Sequence, residues 1–234
     1  MAALLFNRHP QKILIVGLGG GTLPEAFFEL LDSVKIDTVE IDPAVIKVAK
    51  EYFLFEDNER KRVIAQDARV FIKRAILQST EYDLVILDAF NGDYIPEHLM
   101  TKEFLLEVQK VLSRDGVLIA NTFRTSKLYD YESNTYQDVF GRFINYKRPE
   151  TGNRLIIVPQ AKLDPDERDP IEAAELIQTA RELESKMSEL EVPIIRYARE
   201  LPRKVVSKPD WDQNTEIITD QFSPVNLLRR QSRD

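Results

Sequence analysis

The sequence predicts an α/β fold whose core is a doubly wound, mostly parallel sheet. Three observations support this prediction. A short apolar run at residues 12–16 is followed at once by a glycine-rich loop and then by a helix-like pattern. The alternation of apolar strand and amphipathic helix continues through four further strands before residue 124. Two later apolar runs are joined by a short turn, as in a β-hairpin, and this pair would close the sheet.

The first three predicted strands alternate with three helices. The strands are short and rich in β-branched residues, and the helices carry apolar residues three or four positions apart. Pro24 is tolerated in the first turn of the first helix, and Asp42 before Pro43 is typical of a capped helix start. The predicted strands are 12–16, 35–42 and 62–67, and the predicted helices are 22–31, 43–55 and 68–77.

The next segments continue this alternation and end it with the hairpin. Residues 81–90 have the strongest pattern of a buried strand, and a fifth strand at 116–123 follows a turn at 113–116. Residues 100–112 and 129–143 have helical periodicity. Residues 143–148 and 154–159 are predicted to pair as the closing hairpin.

The C-terminal part is predicted to extend the same domain. Residues 1–160 would form the main unit, and residues 161–234 a helix and a tail that pack on it. Asp169, Pro170 and Glu172 have the spacing of a capped helix start. A narrow apolar seam along that helix favours packing on the parent domain, with a dimer interface as the alternative. Its members are Leu176, Ala180, Leu183, Met187 and Leu190.

The tail after this helix is expected to be irregular. Residues 193–214 are basic, contain prolines and have weak periodicity, and Trp211 would anchor them. Residues 215–226 are expected to include a short strand-like piece, with a turn at Ser223 and Pro224. The last eight residues end the chain as a polar segment that we expect to fray.

Composition narrows the classes of function. The 234 residues suit one α/β domain with an extension. A net charge of −7 disfavours nonspecific binding of nucleic acid and permits a cationic substrate. The chain has no cysteine, which excludes disulfides and thiolate metal sites and fits a reducing compartment. We therefore expect a cytoplasmic protein without a nucleic-acid partner.

Metal and membrane functions have little support in the sequence. His9 and His98 are the only histidines, and each is expected to be a surface or packing residue, so we expect no metal site. No apolar run reaches the roughly 20 residues that span a bilayer. The first ten residues lack the basic leader of a signal peptide, so none is predicted.

The loop after the first strand is predicted to bind a nucleotide or nucleoside. Gly17, Gly19, Gly20 and Gly21 would let a ligand approach the backbone, at the point where a helix N-terminus presents free N–H groups. A plain tight turn is the alternative. From Gly17 the pattern is G-x-G-x-x-T, and Thr22 stands where the NAD fingerprint needs glycine or alanine, which disfavours NAD.

Acidic residues end the next strands. Glu40 ends the second predicted strand, 19 residues after Gly21, where a carboxylate can accept hydrogen bonds from both hydroxyls of a ribose. Asp67 and Asp88 end the third and fourth strands. Because ligands of doubly wound sheets bind beyond the carboxyl ends of the strands, we expect these acids to converge there. A cap of a helix or loop is the alternative for Asp88.

In this order, the motifs resemble the spermidine synthase (aminopropyltransferase) family, within the class I S-adenosylmethionine methyltransferase fold. The resemblance covers about residues 12–123 and a late Thr-Asp motif. It implies a Rossmann-like fold and a nucleoside donor, S-adenosylmethionine or its decarboxylated form. The matching stretches are residues 13–26, 38–49, 66–68, 82–88 and 219–225.

The resemblance also implies roles for the donor-binding residues. Glu40, followed by Ile41, would hold the ribose, and Asp67, followed by Ala68, would meet the adenine amino group. The loop at residues 17–21 would face the sulfonium end of the donor.

By the same resemblance, Asp88 would assist removal of a proton from the attacking amine. Asp93 and Tyr94 are also candidates for the catalytic site, with a plain loop role as the alternative. Aminopropyl transfer requires the enzyme to position two cations, deprotonate one and exclude water, which carboxylates and aromatic faces can do without a metal.

The sequence departs from the family at three places. Gly20 stands where the family's glycine loop has an aspartate that grips the aminopropyl ammonium, and Asn91 stands where the active loop has a second aspartate, although Asp93 could substitute for it. The family's N-terminal β-hairpin domain is expected to be absent, because the first strand begins near residue 12.

Three functions remain open from the sequence. The first is aminopropyl transfer to a polyamine. The second is methyl transfer from S-adenosylmethionine to a small or cationic acceptor, which the missing loop aspartate favours. The third is a nucleoside-binding or partner-binding module without catalysis, with the 176–190 seam as an interface and a homodimer as one form of it.

Overall fold

A seven-stranded sheet forms the centre of the computed structural model, which describes residues 1–91, 94–148, 151–161 and 171–224. The strand order is β3-β2-β1-β4-β5-β7-β6, with the first five strands parallel and β7 antiparallel to both of its neighbours. This confirms the predicted doubly wound sheet and its closing hairpin. The strands are β1 (Lys12–Val16), β2 (Lys35–Glu40), β3 (Lys61–Ala65), β4 (Tyr82–Leu87), β5 (Leu112–Phe123), β6 (Ile144–Lys147) and β7 (Asn153–Pro159).

Helices cover both faces of the sheet. Asp42, Asp67 and Thr101 cap three of them, each accepting a hydrogen bond from a backbone N–H in the first turn. The predicted cap at Asp42 is therefore confirmed. The helices are α1 (Thr22–Leu30), α2 (Pro43–Tyr52), α3 (Ala68–Leu77), α4 (Lys102–Val111), α5 (Tyr129–Phe140), α6 (Ala173–Glu189) and α7 (Ile194–Glu200), with short 3-10 helices at Ala2–Leu5, Glu97–Leu99 and Leu201–Lys204.

Alternating side chains of each strand enter two apolar layers. On one face, Ile13 and Ile15 of β1 pack in a cluster with residues of α1, α6 and α7 and of the N-terminal 3-10 helix. On the other face, Leu14 and Val16 pack with residues of α3, α4 and α5. This alternation follows from the twofold period of a strand and explains why β1 is apolar from Ile13 to Val16. Within the described ranges, no helix is both long and apolar enough to cross a membrane.

The apolar seam of α6 packs against the face of the sheet to which Ile13 and Ile15 belong. Leu176, Ala180 and Met187 are fully buried in the same cluster as Ile13, and Leu183 packs against it from a partly buried position. These three buried side chains are therefore not available to a second copy of the chain. The helix begins at Ala173, and Glu172 precedes it without a side-chain cap. Of the predicted cap residues, Asp169 and Pro170 lie outside the described residues.

Two predictions about strands were wrong. β5 begins at Leu112 instead of Gly116, because Tyr82 pairs with Leu112 and Leu84 with Val117, so that residues 113–116 bulge from the ladder. Residues 215–224 contain no strand; they run irregularly, and the Ile218 N–H donates to the Thr135 hydroxyl at 2.9 Å. Of the segment predicted at 215–226, residues 225 and 226 lie outside the described part.

Three predictions about helices and helix faces were wrong. Residues 193–214 include α7, whose Ile194 and Ala198 are four positions apart and both buried, so tertiary packing forms a helix where the wider periodicity is weak. Val70, expected from its place in the third helix to be available to the core, is 51% exposed. Helix α5 ends at Phe140 because Gly141 follows with a positive φ of 68°.

Candidate functional site

A large cavity of about 570 Å³ lies beyond the carboxyl ends of β1, β2 and β4. β1 pairs with β2 on one side and with β4 on the other. The chain continues from β1 to β2 but from β4 to β5, in opposite directions along the sheet, so a crevice opens at this point. The volume lies within the usual range of small-molecule sites, about 300–1,000 Å³. The predicted site residues that line this cavity are Gly17, Gly19, Glu40, Ile41, Asp67 and Ala68.

The glycine loop divides into two parts with different contacts. A Cβ added to Gly17, at a φ of +100°, would lie 2.4 Å from the carbonyl oxygen of Asp88, so the loops after β1 and β4 touch through their backbones. Gly19, at a φ of +54°, borders open space on the cavity side. Only glycine meets both conditions without strain.

Gly20 and Gly21 do not line the large cavity, although the sequence suggested that all four glycines contact a ligand. A Cβ on Gly20 would lie 2.9 Å from the Phe53 ring, and a Cβ on Gly21 would lie 2.5 Å from the Phe55 ring. These two glycines therefore allow the loop to pack on the residues that follow α2. The composition of the loop does not reveal this division, because the aromatic partners lie more than 30 residues away.

Glu40 is held at the end of β2 by the backbone. Its Oε2 accepts a hydrogen bond from the Leu18 N–H, and its Oε1 accepts one from the Asp42 N–H, both at 3.0 Å. A carboxylate oxygen has a second lone pair, so each oxygen can still accept a hydrogen bond from a ligand hydroxyl. The neighbouring Ile41 is 64% exposed and gives the cavity an apolar wall.

Asp67 has two partners in the protein. Its Oδ1 accepts from the Val70 N–H at 2.9 Å, and its Oδ2 lies 2.8 Å from Nε2 of His98, which also lines the large cavity. Burial raises the pKa of Asp67, but the hydrogen bonds from Val70 and His98 outweigh it, and the net pKa is lowered. His98 is exposed, as expected of a surface residue, but sequence reasoning missed its contact with Asp67. Its position ten residues after the strand-ending Asp88 was the available signal.

Asp88 lies at the junction of the two loops. Its Oδ1 accepts a hydrogen bond from Nδ2 of Asn121 at 2.8 Å, and its N–H donates to the Val16 carbonyl at 2.9 Å. Burial raises the pKa of the Asp88 carboxyl, against the opposing hydrogen bond from Asn121. Asp88 itself does not line the large cavity, whereas the next two residues, Ala89 and Phe90, do.

The other two predicted catalytic residues, Asp93 and Tyr94, are not among the described residues that line the large cavity. Asp93 lies outside the described residues. Tyr94 lines neither the large cavity nor the small one described next; its hydroxyl accepts from Asn91 Nδ2 at 2.8 Å, and its carbonyl accepts from the Asn91 N–H at 2.8 Å. These contacts are those of a loop, which was the alternative reading for Tyr94.

A small cavity of about 20 Å³ adjoins the large one, and Val16, Ala89 and Leu99 line both. It has room for about one water molecule. Sequence reasoning did not identify two of the polar residues that line it, Asn121 and Glu132. Asn121 stands out only as a polar residue in an apolar strand, and Glu132 looks like any acid of an amphipathic helix.

The late Thr-Asp motif lies against the helices that border the site. Asp220 accepts hydrogen bonds from both terminal nitrogens of Arg69, at 2.6 and 2.7 Å, and from the Thr101 hydroxyl at 2.8 Å. Arg69 also bonds Glu107, so the motif ties the start of α3 to α4. Because Arg69 follows Ala68, this contact supports one wall of the large cavity.

The amino-acid sequence is similar to those of known transferases. A family model described as spermine/spermidine synthase domain matches residues 2–159. The chain is 50% identical over 230 residues to a polyamine aminopropyltransferase of Vibrio vulnificus, an alignment that covers 98% of this chain and 73% of that protein.

Two solved structures are similar over much of the chain. Human methyltransferase-like protein 13 in complex with SAH has a TM-score of 0.66 and 26% identity, covering 94% of this chain and 92% of that chain. Spermidine synthase from Thermotoga maritima has a TM-score of 0.55 and 26% identity, covering 75% of this chain and 62% of that chain. The chain therefore spans less than two thirds of the Thermotoga structure.

Proposed function

The chain belongs to the spermine/spermidine synthase family, and we propose that it is a transferase that moves the aminopropyl group of decarboxylated S-adenosylmethionine to an amine of a polyamine. The name of the Vibrio relative supports this activity. The observation that carries the proposal is the position of Asp88: a buried carboxyl with a raised pKa, oriented by Asn121, where the loops after β1 and β4 meet beside a nucleoside-sized cavity.

The large cavity suits the nucleoside part of the donor. Glu40 would accept hydrogen bonds from the two ribose hydroxyls, with its oxygens already fixed by the Leu18 and Asp42 N–H groups. Ile41 would offer an apolar face to the base, and Asp67 would accept from its exocyclic amino group, in exchange for or beside His98. Gly19 would leave space for the sulfonium end, and Gly17 lines the same cavity.

The donor supplies a carbon that its sulfonium has activated. The acceptor nitrogen must be neutral to attack it; a carbon–nitrogen bond then forms as the carbon–sulfur bond breaks, and methylthioadenosine is released. Asp88 would take the proton that the amine gives up. A carboxyl whose pKa burial has raised is a better base near neutral pH than an ordinary one, because its conjugate acid is weaker. Asn121 would hold that carboxylate in a fixed orientation.

Calorimetric titration with decarboxylated S-adenosylmethionine, S-adenosylmethionine and methylthioadenosine tests the donor site. We expect the decarboxylated donor to bind more tightly than the intact one, and Glu40→Ala to abolish its binding. Glu51→Gln, an exposed change on α2, is the matched control and should bind as the unaltered protein does. If none of the three compounds bound, the nucleoside site would be refuted.

Product analysis tests the reaction itself. With decarboxylated donor and butane-1,4-diamine, mass spectrometry should detect methylthioadenosine and the aminopropylated amine in equal amounts. Asp88→Asn keeps the size of the side chain and removes the base, so turnover should fall by about a hundredfold or more while donor affinity changes little. Undiminished turnover in this variant would remove Asp88 from the mechanism.

Methyl transfer is a second candidate, favoured by two observations. The human methyltransferase structure shares a larger part of its length with this chain than the Thermotoga spermidine synthase does. Gly20 also lacks the carboxylate with which the family grips the aminopropyl ammonium. Tighter binding of intact S-adenosylmethionine in the titration, with methylated product, would establish this function in place of the first.

A further inference from the structure

Three polar side chains form a row across the end of the sheet that carries the cavities. The pairing of β4 with β5 brings Asp88, the residue after β4, next to Asn121 of β5. On the other side of β5, Asn121 lies opposite Leu155 of β7. Asn153 is two residues from Leu155 and so shares its face of the sheet. Asp88, Asn121 and Asn153 are therefore diagonal or direct neighbours on three adjacent strands.

The hydrogen bonds in this row run in one direction. Asn153 Nδ2 donates to Asn121 Oδ1 at 3.1 Å, and Asn121 Nδ2 donates to Asp88 Oδ1 at 2.8 Å. An ionised carboxylate can only accept, so the Asn121 amide must turn its NH₂ group toward Asp88. The oxygen of that amide then needs a donor, which Asn153 supplies. Asn153 and the ionised Asp88 therefore favour the same orientation of the Asn121 amide.

The backbone of the closing hairpin holds Asn153 in place. Its N–H donates to the Thr151 hydroxyl at 3.3 Å, and its carbonyl accepts from the Arg148 N–H at 2.9 Å. Asn153 also pairs with Phe123 in the ladder between β5 and β7. A side chain on a backbone fixed in this way can position a neighbouring amide more precisely than one on a free loop.

The opposite orientation of the Asn121 amide would change the chemistry of Asp88. With its oxygen toward Asp88, the amide could accept a hydrogen bond from the protonated carboxyl, but it would repel the ionised form. In the described part of the chain, the Asn121 hydrogen bond is the cause that opposes the burial raising the pKa of Asp88. Losing this orientation would keep Asp88 protonated up to a higher pH.

We propose that Asn153 is a positioning residue for the reaction: it holds the NH₂ group of Asn121 toward Asp88, and so keeps the Asp88 carboxylate ready to accept a proton. This inference rests on the proposed function, in which the proton leaves the acceptor nitrogen for an Asp88 oxygen. Asn153 lines neither the large nor the small cavity, so it acts through Asn121. The closing hairpin would thus contribute to the reaction without touching either reactant.

Two variants remove the Asn153 donor in different ways. Asn153→Leu has a similar branched shape but neither donates nor accepts a hydrogen bond. Asn153→Asp keeps the size of the side chain but only accepts when ionised, so it should draw the Asn121 NH₂ group toward itself and leave the amide oxygen facing Asp88. Because this change is so small, Asn153→Asp also covers the case in which Asn153→Leu fails to fold.

The pH profile of kcat/KM, with decarboxylated donor and butane-1,4-diamine, measures the effect on Asp88. Its acid limb should move to higher pH by about 1–2 units in Asn153→Asp, the usual effect of losing a hydrogen bond to a charged group. The shift should be about 0.5–1 unit in Asn153→Leu, which loses one neutral hydrogen bond. An unmoved limb in either folded variant would overturn the proposal.

Turnover and binding should separate in the same variants. At neutral pH, kcat should fall by about tenfold or more, while the KM for the diamine and the calorimetric donor affinity should change by less than about twofold. Asn7→Asp adds the same charge before β1, near the opposite end of the sheet, and should change neither kcat nor the acid limb. Weaker donor and diamine binding with an unchanged kcat would make Asn153 a structural residue of the hairpin and would contradict the proposal.

A double-mutant cycle separates the amide from the added charge. In the Asn121→Ala background no amide connects position 153 with Asp88, so Asn153→Asp can act only through its charge. We expect its shift of the acid limb to fall there to less than about half of the shift in the unaltered background. An equal shift in both backgrounds would show that the charge acts directly on Asp88, and the proposal would fail.

Carboxyl ¹³C NMR titration separates this inference from the reaction. The Asp88 signal is the one that Asp88→Asn removes. If the unaltered protein transferred no aminopropyl group to any amine, the proposed function would fail, but the pKa of Asp88 read from this signal would still decide the role of Asn153. A higher Asp88 pKa in both Asn153 variants would support that role, and a pKa equal to that of the unaltered protein would refute it.

Discussion

Replacing Gly17 with alanine should weaken the protein far more than the same change at Gly19. Both glycines have positive φ angles, +100° and +54°, and both line the large cavity. They differ in what a side chain would meet. A Cβ on Gly17 would lie 2.4 Å from the Asp88 carbonyl oxygen and 3.2 Å from the Ala89 Cα, whereas no atom lies within 4 Å of a Cβ on Gly19.

The magnitudes follow from these two contacts. The left-handed conformation alone costs an alanine about 1–2 kcal/mol, which is the whole expected loss at Gly19. At Gly17 the φ angle is less favourable, at about 1–3 kcal/mol, and the overlap with backbone adds a further 1–3 kcal/mol, because neither loop can move without disturbing a buried strand end. The total of about 2–6 kcal/mol is a large part of a typical stability of about 5–15 kcal/mol.

Urea unfolding of the two variants measures this difference. With a slope of about 1–3 kcal/mol per molar urea, Gly17→Ala should move the midpoint down by about 1 M or more relative to Gly19→Ala. Donor titration should also show weaker binding in Gly17→Ala, because separating the loops changes the position of Asp88. A Gly17→Ala protein as stable as Gly19→Ala would show that the loops do not meet as described.

Three further perturbations test other contacts. Asn121→Ala removes the hydrogen bond that lowers the pKa of Asp88, and the pKa of Asp88 should therefore rise further. The acid limb of the pH profile of kcat/KM should then move to higher pH, and an unmoved limb would exclude Asp88 as the base. Asp220→Ala should cost about 1 kcal/mol in urea unfolding, because its carboxylate is partly exposed. Arg69 holds the pKa of Asp220 low, so this loss should shrink as the pH falls below the ordinary aspartate pKa of about 4 and vanish once the pH is below the lowered pKa. A loss that persisted there would have another cause. Trp211→Ala should lower the free energy of unfolding by about 3–5 kcal/mol, because the ring is buried and stacks on Phe143 with ring centroids 5.6 Å apart. Thermal unfolding measures this loss. A loss below about 1 kcal/mol would contradict an anchoring role.

Local signals were enough to predict the sheet and the acids at its edge. The order of strands and helices follows from periodicity, and Asp42 could be predicted as a cap because the proline after it is adjacent in sequence. Glu40, Asp67 and Asp88 could be placed near one another because parallel strands end at the same edge of a sheet. These inferences need only neighbours in the chain and one rule about topology.

Contacts between distant segments could not be predicted in this way. Asn121 bonds Asp88 across 33 positions, and Arg154 lies beside Glu132 only because β7 packs under α5. Helix α7 is short, and burial of Ile194 and Ala198 stabilises it more than its own periodicity does. Sequence patterns therefore leave open the side-chain pairs that form between distant strands and helices.

The departure at Gly20 has a structural cause that bears on donor choice. Phe53 lies against Gly20, so an aspartate there would require the Phe53 ring to move. The carboxylate with which the family holds the aminopropyl ammonium is thus replaced by an aromatic residue that is 59% exposed and outside the large cavity. Nothing acidic at this position would repel the carboxylate of intact S-adenosylmethionine. Any preference for the decarboxylated donor must then arise from the residues next to Asp88 that line the cavity, Ala89 and Phe90 among them, and the donor titration measures that preference directly.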